Sequence, residues 1–211
     1  VDRVDESRHI LLPLKNRDEQ GRYTVCMIPG ERRTTPLSQP QIPGADFETD
    51  EAIKNWWFAQ GLKASLVKED APQGRQCLRL EGKTGEGWNY AGTPNIPLLP
   101  AAEYRLRGRM KVMEIDGVRE SVVAGREGGS IWSKAPYFKI GLVDADGKWF
   151  ANVNTARYDL AKMGMWQELE CTFVTDPRTG SGHFAVEKGD TQPREVVLLV
   201  DDIRLELISA P

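Results

Sequence analysis

The sequence predicts an all-β protein built as an antiparallel β-sandwich. From Ala45 onward, short apolar or alternating runs follow one another. Turns rich in Gly, Pro and Asp separate them at intervals of about ten residues, the mark of sandwich architectures. Alternation is clearest in Tyr104–Val112, where Tyr104, Leu106, Met110 and Val112 face one way and Arg105, Arg107, Arg109 and Lys111 the other. The only helical hint, Asp50–Trp57, is a turn at most.

The elements follow in order. Residues 1–28 read as a strand pair, Arg8–Leu14 and Arg22–Ile28, or as the tail of a preceding domain. Residues 29–44 carry prolines and no periodicity, so they form a linker or a wrapping segment. The sandwich occupies residues 45–211. Its expected strands are Ala45–Glu48, Trp56–Leu62, Ala64–Lys68, Gln76–Glu81, Asn89–Ile96, Glu103–Val112, Tyr137–Asp144, Phe150–Thr155, Gln167–Val174, Gly182–Glu187 and Glu195–Ile208. Asp116–Gly129 is a Gly-rich loop.

Composition excludes several functions. The 211 residues carry a net charge of −3, which offers no basic field to nucleic acid. No apolar run approaches the ~20 residues of a membrane span. The chain opens Val1-Asp2-Arg3 without Met and is expected to be a processed or excised piece, so a missing leader says little about secretion. The three cysteines, Cys26, Cys77 and Cys171, match no zinc or redox motif. Cys171 alternates with Leu169 and Phe173 as a buried thiol, and a Cys77 disulfide to Cys26 or Cys171 is left open.

Six features stand in a suggestive order: Asp46-Phe47-Glu48, Asn55-Trp-Trp-Phe58, Gly74-Arg-Gln-Cys-Leu-Arg-Leu80, Pro100-Ala-Ala-Glu-Tyr-Arg-Leu-Arg-Gly-Arg109, Trp166-Gln-Glu-Leu-Glu-Cys-Thr-Phe173 and Val200-Asp-Asp-Ile203. Over residues 45–208 the chain resembles carbohydrate-binding modules of the galactose-binding-like jelly-roll type, families 4, 9 and 22. It departs from them in a longer Asp116–Trp132 insertion and a first strand lacking Asn-Gly. The resemblance implies a noncatalytic polysaccharide- or oligosaccharide-binding module. It further implies a monomer tethered to a glycoside hydrolase or polysaccharide lyase, secreted or periplasmic. It also implies a structural calcium where the first and last strands meet. There Asp46, Glu48, Asp201 and Asp202 would crowd together and need a hard cation. If Ile203, Leu205 and Leu207 face the core, Asp201 shares their side, while Asp202 turns outward toward Arg204.

Sugars are bound by flat aromatic platforms with polar side chains at their edges. The ligand-binding candidates are Trp88, Tyr90, Trp132, Tyr137, Trp149, Asn152 and Arg109. Of Trp56 and Trp57, one is buried and one exposed, since strand neighbours face opposite ways. Trp166 is assigned to the core. The row Arg105, Arg107, Arg109, Lys111 either suits an acidic polysaccharide or is a solvated face. No catalytic motif is present. Three rival readings remain: a sandwich lyase using His183 with Tyr137 or Tyr158, a glycoside hydrolase using a pair of carboxylates, and a structural spacer.

Overall fold

The computed structural model describes residues 39–68, 70–116 and 134–210. The chain divides into two compact units, 1–38 and 39–211, and the description below concerns the second. The expected strand pair at 1–28, the Pro-rich segment up to residue 38, Cys26 and Trp132 lie outside the described residues.

Among the described residues, ten strands form the sandwich: β1 Trp57–Phe58, β2 Leu62–Val67, β3 Cys77–Lys83, β4 Asn89–Pro97, β5 Glu103–Ile115, β6 Tyr137–Asp144, β7 Trp149–Asn154, β8 Gln167–Val174, β9 Thr179–Glu187 and β10 Glu195–Ser209. Sheet I has the order β1-β4-β9-β6-β7, and sheet II the order β2-β3-β10-β5-β8. All pairings are antiparallel. The one helical turn among the described residues is Leu160–Lys162. No helix among them is long and apolar enough to cross a membrane.

Two expected strands are redrawn. The run expected at Trp56–Leu62 breaks at Ala59–Gly61, because the chain there leaves sheet I for sheet II. Leu62 N–H donates back to Ala59 O at 3.1 Å to close that turn. The expected first strand, Ala45–Glu48, is instead turn and coil. It still lies beside the last strand, since Ile203 N–H donates to Ala45 O at 3.1 Å.

Inward positions fill the core by the period of two that β-structure imposes. Phe47, Trp56, Phe184 and Phe138 form a chain of rings with centroids 5.4, 5.7 and 5.5 Å apart. Such aromatic pairs add ~0.5–1.5 kcal/mol each beyond their area burial. Trp56 Nε1–H donates to Pro43 O at 2.7 Å, so the buried indole also ties down the segment before it. Phe47 takes φ +55, costly for a bulky side chain, and full burial of its ring offsets that strain.

Residues 39–44, expected as part of a linker, are packed on the sandwich. After Val200, β10 has no further partner in β3. There the Gln39 amide acts as a substitute strand: Leu207 N–H donates to Gln39 Oε1 at 2.7 Å, and Gln39 Nε2 donates to Leu207 O at 3.4 Å. A cavity of about 690 Å³ opens between this segment and Ile203–Ile208.

Candidate functional site

The outer face of sheet I gathers aromatic, amide and charged side chains. Strand register places them in rows. One row runs Trp57, Gly92, Ala185, Lys139, Asn154. The next runs Asn95, His183, Gly141, Asn152. At one end stand Asn89, Glu187 and Tyr137; at the other, Ser181, Val143 and Trp149. The middle of this face is buried: Ala185 is fully buried, and Glu187 and Lys139 are 2% and 7% exposed. Its rims are not, since Trp57 is 42% and Trp149 55% exposed.

Several contacts set this face. Lys139 Nζ closes on the Glu187 carboxylate and donates to Asn89 Oδ1 at 3.0 Å. The pair neutralises itself where neither charge is well hydrated, which is the condition for keeping such charges buried. Arg157 lies over the Tyr137 ring at 4.6 Å. Burial and the nearby Glu187 raise the Tyr137 pKa, so its hydroxyl stays protonated. Trp149 Nε1–H donates to Asn152 Oδ1 at 3.0 Å, fixing indole and amide together on β7.

The expected ligand residues therefore separate. Tyr137, Trp149 and Asn152 share the outer face of sheet I. Trp88 is 55% exposed and sits at the start of β4, where Lys188 N–H donates to its carbonyl at 2.7 Å. Tyr90 is a correction: it points into the core with no exposed surface, where a register shift between Asn89 and Ala91 leaves Asn89 paired with Glu187 and Tyr90 turned inward. Arg109 stands apart from them. It lies on the outer face of sheet II, in register with Asp201 and Glu168. The residues missed on the sheet I face are Trp57, Lys139, Glu187 and His183. The alternation Tyr137-x-Lys139-x-Gly141 was a readable signal for Lys139, once Tyr137 was taken as outward.

Three of the four basic residues of the row on sheet II are ion-paired within the protein. Arg105 and Arg107 donate to Glu206 at 2.7 and 2.8 Å. Lys111 pairs with Asp70.

The cluster of His183 with Tyr137 or Tyr158 expected for a sandwich lyase does not form among the described residues. Tyr158 is fully buried, and its hydroxyl donates to Met165 O at 2.7 Å or Lys162 O at 2.8 Å. Tyr137 and His183 pair with Glu187 and Gly141 respectively, which puts them two rows apart, roughly 13 Å along the strands.

The acidic end of β10 differs from expectation in one respect. A bulge between Asp201 and Arg204, with Asp202 at φ +48, inserts a residue and reverses the alternation. Asp201 therefore lies in register with outward Arg109, while Ile203 and Leu205 return to the core. Asp201 is nevertheless 1% exposed, with no hydrogen-bond partner for Oδ2 among the described residues. Burial pushes its pKa up to about 6. Asp202 turns to Arg204, whose Nε–H donates at 2.6 Å, as expected of the outward partner. Glu48 accepts Arg75 N–H at 2.9 Å, and this bond holds its carboxyl below the usual range. Asp46 is exposed and accepts Glu48 N–H at 3.4 Å. Among the described residues, no group of three or more His, Cys, Asp or Glu side chains converges as a metal site.

Trp166, assigned to the core, is half-buried and donates from Nε1 to Asp70 O at 2.9 Å. Cys77 and Cys171 are free thiols, which removes a disulfide between them.

No family model and no curated protein sequence matches the chain. Solved structures do. The CBM22-1 xylan-binding domain from Paenibacillus barcinonensis Xyn10C aligns with a TM-score of 0.52 at 19% identity, over 79% of this chain and 94% of that one. The CBM22-1-GH10 modules of Clostridium thermocellum endo-1,4-beta-D-xylanase 10B, complexed with xylohexaose, align with a TM-score of 0.53 at 12% identity, over 76% of this chain and 27% of that one. The tandem CBM22-1-CBM22-2 domain of Xyn10C gives 0.51 at 18% identity. The chain thus has the jelly-roll β-sandwich fold of family 22 carbohydrate-binding modules.

Proposed function

We propose that this chain is a noncatalytic polysaccharide-binding module that holds a sugar chain across the outer face of sheet I. One observation carries the reading: a buried floor of small and self-neutralised residues lies between the exposed indoles of Trp57 and Trp149. Aromatic faces suit the C–H faces of pyranoses, and Asn95, Asn152 and Asn154 offer both donors and acceptors to hydroxyl edges. Trp88 extends the aromatic rim at the loop end. The xylan and xylohexaose named for the structural neighbours make xylan the first glycan to test. In this reading the module is monomeric, works outside the cell or in the periplasm, and concentrates a tethered glycan-active enzyme on its substrate.

A structural calcium belongs to the same reading. The donor set is all oxygen, as calcium requires. Asp201 supplies its orphaned oxygen, and Glu48 lies near enough to raise the Asp201 pKa. Backbone carbonyls would complete the shell. Asp202 is held by Arg204, and Asp46 is solvated, so both contribute less. The ion would neutralise a buried carboxylate and take no part in sugar chemistry.

Calorimetry against xylan, β-glucan, mannan, galactan and polygalacturonate tests the function. Binding by the wild type that Trp57→Ala or Trp149→Ala weakens at least tenfold is the expected result. Release of reducing ends or an unsaturated-uronate absorbance would point to an enzyme. No binding to any polymer would favour a spacer.

A further inference from the structure

Two glycines on the outer face of sheet I each lie beneath a ring. A Cβ at Gly92 would come 2.4 Å from the Trp57 indole, and one at Gly141 would come 2.2 Å from the His183 imidazole. Both rings occupy space that any larger residue would fill. The glycines sit two strands and two residues apart, which is about 12 Å from strand spacing and rise. Between them lie Ala185, fully buried, and Lys139, closed on Glu187. Asn95 and Asn152 stand in register on the two sides of the His183–Gly141 pair.

The imidazole is half-buried, with one side over the backbone of Gly141. Burial and the Lys139 ammonium hold it neutral to lower pH than usual. Around it, β6 brings Lys139, β9 brings Glu187 beyond Ala185, and β4 and β7 bring the uncharged Asn95 and Asn152. A neutral ring at such a place can do for a sugar what Trp57 does at the other end. No single pyranose, nor two adjacent ones, spans the distance between the two rings.

We infer that His183 is a second sugar-stacking platform, and that with Trp57 it makes this face select neutral chains of three or more pyranose units. The inference rests on the reading of the face as a glycan site. Lys139 and Glu187 cancel, so the floor asks for no charge on the sugar.

Calorimetry of the full chain with xylose through xylohexaose, and with the matching cello- and manno-oligosaccharides, tests it. The wild type should gain affinity steeply between two and four units. His183→Ala should lose about three- to tenfold for tri- and longer saccharides and nothing for disaccharides. His183→Phe keeps a ring and should retain the affinity. Wild-type affinity should fall when pH drops below the ordinary imidazole range, while the His183→Phe profile stays level over the same interval. Equal hexasaccharide binding by wild type and His183→Ala, or a wild-type pH profile matching that of His183→Phe, would overturn the role of His183 and leave the glycan site standing. Failure of the wild type to bind any oligosaccharide would remove both.

Discussion

Replacing Asp201 by Asn should flatten the pH dependence of metal-free stability between about pH 4 and pH 6, and remove stabilisation by calcium. The Asp201 carboxyl is 1% exposed and its pKa rises from 3.8 to about 6. Burial is the main cause; the backbone N–H groups of Asp202 and Gln73 oppose it, and the Asp202 and Glu48 carboxylates add to it. Between those two pKa values the folded chain holds a proton that the unfolded chain has lost. Stability therefore falls as pH rises through that window and stays level above it, by about 3 kcal/mol in all. In the Asn variant, Oδ1 keeps its bond from Asp202 N–H, which is 2.8 Å in the wild type. The new Nδ2 donor takes the place of the orphaned oxygen, costing ~1–3 kcal/mol. At pH 7 in EDTA the variant should therefore match the wild type or exceed it by up to about 2 kcal/mol. Calcium at a hundredfold excess over Kd should add about 2.7 kcal/mol to the wild type, roughly 5–10 °C in Tm, and almost nothing to the variant. Thermal and urea melts by tryptophan fluorescence, from pH 4 to 8 with EDTA or calcium, read all of this. Comparing the two proteins at each pH cancels Glu48, which titrates with the opposite sign. A variant several kcal/mol weaker in EDTA at pH 7, or an equal calcium gain in both proteins, would refute the reasoning.

Other predictions concern buried polar groups. The Tyr90 hydroxyl is buried without a partner among the described residues, so Tyr90→Phe should be neutral or stabilise by about 1–2 kcal/mol in urea melts. Lys188 is 1% exposed and donates to Thr84 Oγ1, Gly85 O and Gln192 O at 3.1, 3.0 and 2.7 Å. Lys188→Met leaves Gly85 O and Gln192 O without their donor, while Thr84 Oγ1 keeps Arg194 N–H at 3.0 Å, and should cost about 2 kcal/mol or more. Amide exchange should then quicken in the loop that carries Trp88. Burial pushes the Cys77 thiol up to about 12, so iodoacetamide at pH 8 should label it only after unfolding, as peptide mapping would show.

How much of this was legible depended on which residues carried the signal. β6 and β8 fall at their expected bounds: β8 alternates between its two faces, and β6 is a largely apolar run stopped by the turn Asp144–Gly147. The Trp56–Trp57 pair divided as strand geometry demands, with Trp56 at 6% and Trp57 at 42% exposure. The site was less readable. Tyr90, Arg109 and Trp149 all looked like aromatic or polar residues in a strand or loop. Only the sheet to which a strand belongs, and the side of that sheet each residue takes, separate a core hydroxyl, an arginine on the outer face of sheet II and an exposed indole.

The sequence by itself determined the all-β class, most turn positions and, where no bulge intervenes, which residues of a strand share a side. Those follow from local rules: alternation, turn chemistry and the poor fit of Gly and Pro within strands. Tertiary structure decided which side is the core and which outer face has a buried middle. It also decided what the acidic pair in Val200-Asp-Asp-Ile203 does. One inserted residue at Asp202 reverses the phase, so Asp201 is buried on the outer side of sheet II. A bulge is set by the pairing of two distant strands, here β5 and β10, and no local pattern in either strand encodes it.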